Sequence, residues 1–290
     1  MIWNAHSHKL RIPAPEKAQF VTVTGIILRV ETPDFFTLST IVDGELGHPT
    51  LLVHDLNASL HDWEALIPAL VLSGHVTYAC DLFGHGQSPH PVDARRYYAQ
   101  MHYTAFRRWI DGLNLVRSPI LIGHGFGAYL CLRYTLGHPY KVFRLVLISP
   151  LLMPEQISPV VMGLDRYPLI ERLAERFAPE WTARKMLGIH TGCDPALEQR
   201  ILTDALRSSP FNRRILPTVA DLTPEFPDLP TRSLFIWGEA DPLLDMSLLP
   251  PLVEDMIDIQ TVSLPGIGHR PHLEAQEKTN KQIVSFLLGI

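Results

Sequence analysis

Short runs of branched apolar residues alternate with amphipathic stretches along most of the chain, and this alternation constrains the fold more than any other feature. The apolar runs predict strands at 20–30, 35–42, 50–54, 75–81, 119–123, 142–149, 232–237 and 257–264. Helical spacing of apolar residues lies between several of these runs, at 63–70, 99–115 and 273–288. Strands joined by helices are typical of a mostly parallel sheet that is covered on both faces. We therefore predict an α/β fold.

The alternation stops between Leu151 and Asp228 and resumes at Arg232. This span contains charge-rich helical segments at 170–177 and 198–207 and many prolines, but no convincing strand pattern. A helical insertion at this point of an α/β chain would lie over the carboxyl ends of the strands, where open α/β sheets bind ligands. We predict a core formed by 1–150 and 229–290, and a helical cap, or lid, formed by 151–228.

The composition excludes several classes of protein. The 290 residues carry a net charge of −5, and lysine and arginine never form a run longer than two, which argues against a nucleic-acid or anionic-membrane partner. No stretch reaches the roughly 18 apolar residues of a membrane span, and residues 1–20 contain no apolar leader, so we expect a soluble, cytoplasmic protein. The three cysteines, an odd number without metal-ligand spacing, predict neither a disulfide framework nor a metal site: Cys80, Cys131 and Cys193.

Four motifs follow predicted strands in a fixed order. They read Leu-Val-His-Asp-Leu at 52–56, Asp-Leu-Phe-Gly-His-Gly-Gln-Ser at 81–88, Leu-Phe-Ile-Trp-Gly-Glu-Ala-Asp-Pro at 234–242 and Gly-Ile-Gly-His-Arg-Pro-His-Leu-Glu at 266–274. In this order and spacing they resemble the loops of the α/β-hydrolase superfamily, from about Thr50 to the carboxyl terminus. The resemblance implies an α/β-hydrolase fold, with a mostly parallel central sheet flanked by helices and an inserted helical lid. It also implies an ancestral activity, the hydrolysis of a small ester, amide or carbon–carbon bond substrate.

The resemblance assigns roles to particular residues. Asp241 stands at the position of the triad acid and His269 at that of the triad base. The backbone N–H groups of Leu56 and Phe126 stand where the family forms its oxyanion hole. Asp55 replaces the glycine that usually precedes the first of these donors, and a carboxylate so close would oppose the negative charge that develops there.

The decisive departure from the family lies at the nucleophile. The superfamily places a serine in a Gly-x-Ser-x-Gly turn between a strand and a helix, whereas residues 123–127 read Gly-His-Gly-Phe-Gly. Gly125 offers no nucleophile, so we predict that covalent serine catalysis is absent. The central residue of such a turn usually has positive φ, a conformation that glycine adopts almost without cost. We predict positive φ at Gly125.

Three interpretations of this degenerate turn remain open at the level of sequence. His269 and Asp241 could activate water without a covalent intermediate. The chain could instead be a non-catalytic ligand-binding protein or scaffold, a pseudoenzyme of the superfamily. It could also be a serine hydrolase that was inactivated deliberately. In each case we expect a small apolar ligand or substrate as the partner, in an unknown oligomeric state.

Gly123, Gly125 and Ala128 also fit the Gly-x-Gly-x-x-Ala fingerprint of dinucleotide-binding proteins. That fingerprint needs an acidic residue at the end of the next strand to hold the ribose. The sequence there is Leu-Ile-Ser-Pro, at 147–150. We therefore predict no nucleotide cofactor.

Overall fold

The computed structural model of the chain describes most of the predicted core and part of the predicted cap. The described residues are 9–10, 21–22, 26–30, 38–44, 46–159, 161–162, 173, 176–177, 184, 187–189, 194–254, 256 and 258–290. Most of the predicted helical segment at 170–177, together with Cys193, lies outside them.

The centre of the molecule is an eight-stranded sheet with the order β10-β9-β8-β7-β5-β6-β4-β3. From β5 onward its strands pair in parallel, whereas β4 pairs antiparallel with both β3 and β6. Its strands are β3 (Ile26–Val30), β4 (Leu38–Asp43), β5 (His48–Val53), β6 (His75–Cys80), β7 (Ile120–His124), β8 (Arg144–Ile148), β9 (Ser233–Gly238) and β10 (Ile259–Leu264). Two strands of two residues each form a separate antiparallel pair, β1 (Lys9–Leu10) and β2 (Val21–Thr22).

Seven helices are described along the chain. They are α1 (Ile67–Leu72), α2 (Ala99–Gly112), α3 (Phe126–Gly137), α4 (Pro195–Leu206), α5 (Pro250–Val253), α6 (Pro271–Glu274) and α7 (Gln276–Leu288). All but α4 belong to the part of the chain predicted to form the core. Short 3₁₀ turns lie in several of the connecting segments, for example Leu60–Trp63 between β5 and α1.

Side chains alternate between the two faces of the sheet, and both faces are buried. Leu145 and Leu147 of β8 belong to one apolar cluster, whereas Val146 and Ile148 belong to the other. A strand covered on both sides reads as a continuous apolar run, which is the pattern that the sequence showed. The predicted mostly parallel α/β sheet is confirmed.

Two predicted helices are interrupted in the structure. The helical pattern at 63–70 is divided between the 3₁₀ turn Leu60–Trp63 and α1, which begins just before Pro68. Proline has no N–H to donate, so it is favoured in the first turn of a helix and disfavoured further along. The predicted helix at 273–288 is divided into α6 and α7, because Ala275 leaves helical geometry at φ −134° and ψ 51°.

Within the predicted cap, the described residues form α4 and several 3₁₀ turns, and none of them adds a strand to the central sheet. Asp194 caps α4, because its side chain accepts hydrogen bonds from the N–H groups of Ala196 and Leu197. The predicted strands at 20–30 and 35–42 correspond to β2, β3 and β4 where they are described; residues 20, 23–25 and 35–37 lie outside.

No helix in the described ranges is both long and apolar enough to cross a membrane. Cys80 and Cys131 are buried free thiols, and burial raises the pKa of both well above its ordinary value.

Candidate active site

The turn between β7 and α3 has the geometry of a nucleophile elbow. Gly125 lies at φ 53° and ψ −115°, between the end of the strand and the first turn of the helix. The predicted positive φ is confirmed. The backbone N–H of Gly125 donates to the carbonyl of Ile148 and its carbonyl accepts from Tyr129, so the turn is fixed from both sides.

Asp241 and His269 come together from the loops after β9 and β10. The Nδ1 of His269 lies 2.7 Å from Oδ2 of Asp241, and both side chains are 1% exposed. The other oxygen of Asp241 accepts from the backbone N–H groups of Leu243 and Leu244, at 2.8 and 3.0 Å. The aspartate therefore orients the imidazole and is itself held by the backbone, which is the relation of acid and base in a catalytic triad.

Two further side chains fix the loop that carries His269. Nε2 of His124 donates to the backbone carbonyl of His269, at 2.8 Å. Glu274 accepts from the N–H groups of Gly268 and Arg270, on either side of the histidine, at 2.8 and 2.9 Å. The imidazole is thus placed by contacts to its own backbone as well as by Asp241.

Asp55 occupies the space that a serine side chain would fill. A Cβ added at Gly125 would overlap the carboxyl group of Asp55. Oδ2 of Asp55 lies 2.9 Å from Nε2 of His269, and Oδ1 accepts the N–H of Phe126 at 2.6 Å. A carboxylate from the loop after β5 therefore replaces the serine hydroxyl as the partner of the histidine.

The Asp55 carboxylate has strong electrostatic support. It lies at the amino-terminal end of α3, where the helix dipole stabilises negative charge. Burial opposes its ionisation, but the hydrogen bond and the charge of His269 hold its pKa well below the ordinary value. Burial also opposes the charged form of His269, yet Asp241 and Asp55 together raise its pKa to about 9. At neutral pH the centre is an imidazolium held between two carboxylates.

Of the two predicted oxyanion-hole donors, Phe126 is engaged within the protein. Its N–H is the one that Asp55 accepts, so a substrate oxygen cannot use it while Asp55 stays in place. Leu56 is 8% exposed and lines the same cavity as Phe126 and Gly125. The structure thus places Leu56, Phe126, Gly125, Asp241 and His269 around one point and adds Asp55 to them.

A small cavity opens beside this centre. Its volume is about 60 Å³, and Asp55, Gly125 and His269 line it. Most of the remaining wall is aliphatic. The predicted cap contributes Leu151, Ile157, Val161, Met162, Leu187 and Leu216, and the loop after β9 contributes Leu243 and Leu244. Asn57, Asn212, Arg213 and Arg270 supply the polar part of the wall.

In the part of the chain that the structure describes, two groups of side chains are close enough to hold a metal ion: Asp55, His124 and His269, and Asp62, His124 and His272. In the first group, both ring nitrogens of His269 already bind carboxylates. In the second, the positive charge of Arg270 acts on Asp62 and His272 and opposes a bound cation. Neither group favours a metal.

His54 and His85 have structural contacts. Nδ1 of His54 donates to the carbonyl of Asp55, and its Nε2 accepts the N–H of Leu82. Nε2 of His85 accepts the N–H of Asn57. Ser149, which follows β8, is fully buried at φ 40° and is not among the residues that line the cavity.

The sequence pattern predicts only that Asp55 disturbs the oxyanion hole. Its true position became visible only with the side-chain geometry. The signal was present as two departures from one family pattern, a carboxylate at 55 and a missing side chain at 125. Glu274 and His124 carried no such signal, because their contacts are to backbone atoms.

Comparison with known proteins identifies the family and supports the fold. The model of the alpha/beta hydrolase family matches residues 50–282. The dihydrolipoyllysine-residue acetyltransferase component of the acetoin cleaving system of Pseudomonas putida is 29% identical over 287 residues, covering 95% of this chain and 70% of that protein. A 2-hydroxy-6-oxononadienedioate/2-hydroxy-6-oxononatrienedioate hydrolase of Paraburkholderia xenovorans is 22% identical, covering 84% and 88%. The structure of carboxylesterase CesB from Bacillus subtilis is similar with a TM-score of 0.74 and 22% identity, covering 92% of this chain and 93% of that one.

Proposed function

This chain belongs to the alpha/beta hydrolase family, and from that premise we propose that it binds a small, mainly apolar molecule beside the Asp55 carboxylate and performs no serine-type acyl transfer. The observation that carries the proposal is the position of Asp55, between His269 and the N–H of Phe126. The two groups that would activate a serine and stabilise an acyl oxyanion both bind this carboxylate instead.

The pair of residues at 55 and 125 argues against an inactivated serine hydrolase. Removing a serine side chain by a single replacement would leave a vacant space beside His269. Here the carboxyl group of Asp55 fills that space, and it would overlap a Cβ at position 125. The two positions fit one another, as expected of a natural site with its own chemistry.

The protonation of His269 also argues against a resting dyad that activates water. A general base must accept a proton, and His269, with a pKa of about 9, already carries one at neutral pH. Both of its ring N–H groups point to carboxylates. In the resting site His269 therefore already holds a proton and cannot abstract one from water.

The cavity limits the ligand. A water-sized atom needs about 10–15 Å³ of such volume, so 60 Å³ admits roughly four to six atoms. The wall is mostly aliphatic, and the predicted cap provides much of it. We propose a short, mainly hydrocarbon ligand with one polar or polarised end that faces Asp55.

Fluorine NMR of 2,2,2-trifluoroethanol, an unreactive molecule of six non-hydrogen atoms, tests the binding. We expect saturable line broadening with the unaltered protein. Met162→Trp, which enlarges a half-buried wall residue, should abolish most of this broadening. Leu206→Trp provides the matched control, because Leu206 is 86% exposed on α4 and lies outside the cavity wall. Equal broadening with both variants would contradict binding in this cavity.

A fluorophosphonate probe tests the second part of the proposal, because it labels activated serines. We expect no labelled residue in the unaltered protein. A labelled peptide would reveal another nucleophile and refute the absence of serine chemistry, and mass spectrometry would show whether Ser149 carries the label.

A further inference from the structure

We propose that Asp55 is itself a nucleophile, whose Oδ2 displaces a leaving group from a saturated carbon and forms an alkyl ester that His269 and water then hydrolyse. This inference rests on the proposed function, because the substrate must bind in the same cavity. It adds an activity, the hydrolytic removal of a leaving group such as a halide from a short alkyl chain.

The carboxylate is available for attack. Asp55 borders the cavity, and its side chain is 9% exposed. An ionised carboxylate has about four acceptor sites, whereas Phe126 and His269 each contribute one donor to Asp55. A lone pair therefore remains on Oδ2 for a carbon atom in the cavity.

The geometry favours a saturated carbon over an acyl carbon. Attack on an ester or amide places negative charge on the substrate oxygen, which then needs the N–H of Phe126. That N–H is bound to Oδ1 of the attacking group itself. Displacement at a saturated carbon puts the charge on the leaving group instead, so the first step needs no oxyanion hole.

In the first step, Oδ2 of Asp55 forms a bond to the substrate carbon while the carbon–leaving group bond breaks, and the leaving group takes that electron pair. Asp55 becomes a neutral ester. Arg213 and Arg270 line the cavity, so the leaving anion forms near two positively charged residues. Arg270 is 2% exposed, and among the described residues no hydrogen-bond partner is found for its Nε and Nη1.

In the second step, the change of charge turns His269 into a base. Once Asp55 is esterified, one of the two carboxylates that stabilise the imidazolium is lost, so His269 releases its proton to solvent. Neutral His269 takes a proton from water, and the hydroxide attacks Cγ of Asp55. The oxyanion forms on Oδ1, which the N–H of Phe126 already binds.

Collapse of this intermediate breaks the bond between Cγ and the ester oxygen. The alcohol leaves with the original Oδ2 and the proton held by His269. The re-formed Asp55 carboxyl group, which carries the oxygen and one hydrogen of the attacking water, then passes this proton to His269, so that the carboxylate and the imidazolium are restored. Overall, an alkyl compound and water give an alcohol, a proton and the free anion, with no oxidant or reductant.

We test the inference with 1-bromopropane, which has four non-hydrogen atoms and fits the volume of the cavity. The unaltered protein should release bromide, and Asp55→Asn should lower the rate at least about 10³-fold, as expected for loss of a nucleophile. Asp111→Asn, an exposed position on α2, is the matched control and should retain the full rate. Bromide release that does not depend on Asp55 would overturn the inference.

Isotopic oxygen identifies the covalent step without any substitution. During a single turnover in H₂¹⁸O, the propanol should contain ordinary oxygen, and the peptide with Asp55 should gain one heavy oxygen. Labelled propanol with an unlabelled peptide would show direct attack by water and would refute the ester.

His269→Gln gives an independent test, because it removes the base of the second step. We expect a propyl ester to accumulate on Asp55, detectable by peptide mass spectrometry. The two proposals fail separately. If trifluoroethanol binds but no bromide is released and no ester forms, the nucleophile inference is wrong and the binding function stands. If the alcohol does not bind, the proposed function itself is wrong.

Discussion

At the scale of single residues, the site is defined by positions 55 and 125. The carboxyl group of Asp55 fills the space that a side chain at 125 would need. Asp55 has room because Gly125 lacks a Cβ, and a serine at 125 would have room only without the carboxylate. Burying a carboxylate is costly unless it is paired and hydrogen-bonded. Asp55 meets that condition through His269, Phe126 and the dipole of α3.

Restoring the family serine should therefore require two substitutions. Gly125→Ser alone should fail to react with a fluorophosphonate and should lower stability, since a side chain at positive φ costs about 1–3 kcal/mol before the overlap with Asp55 is counted. Asp55→Gly combined with Gly125→Ser should react, because the hydroxyl then lies beside His269. Mass spectrometry after labelling and urea unfolding measure the two effects. Labelling of the single variant would show that Asp55 moves aside readily.

At the scale of elements, the loops that meet at the site are tied together by one buried aspartate. Asp81, 2% exposed at the end of β6, accepts the N–H of Leu60 at 2.9 Å and that of Gln87 at 2.8 Å. Its contacts join the loop after β5, which carries Asp55, to the loop after β6. Gly86 makes this approach possible, because a Cβ there would overlap the carboxyl group of Asp81.

Asp81→Asn should destabilise the protein by about 1–3 kcal/mol, because the amide nitrogen would face a backbone donor and leave a buried group unpaired. Asp111→Asn makes the same chemical change at an exposed site and should alter stability by less than about 0.5 kcal/mol. The free energy of unfolding in urea measures both. Equal values would show that the two backbone contacts of Asp81 add nothing to stability.

The elements themselves were largely predictable from the sequence, whereas the contacts of the site were not. Strands such as β7 and β8 are continuous apolar runs, so their periodicity marks them directly. The breaks at Pro68 and Ala275 depend on local backbone chemistry that apolar spacing does not reveal. The hydrogen bond between Asp55 and His269 joins residues 214 positions apart, and no spacing rule reports it.

At the scale of the whole molecule, the parallel sheet brings loops from distant parts of the chain to one edge, and the site concentrates buried titratable groups there. Burial lowers the pKa of His85, His102, His124 and His272. These histidines are neutral when folded but charged in the unfolded chain below about pH 6.5, so their effect is to reduce stability as the pH falls below that value. His269 acts in the opposite direction.

The stability of the protein should accordingly decline on the alkaline side of neutrality. The pKa of His269 rises from 6.5 to about 9 on folding, so its stabilising contribution is complete below pH 6.5 and is lost as the pH rises to about 9. A shift of this size corresponds to at most about 3 kcal/mol.

Urea unfolding at several pH values between 6.5 and 9 should show this decline in the unaltered protein. Asp55→Asn should flatten it, because the imidazolium then keeps Asp241 alone as a charged partner. A constant free energy of unfolding across this interval in the unaltered protein would mean that His269 is neutral at rest, and the imidazolium between two carboxylates would have to be abandoned.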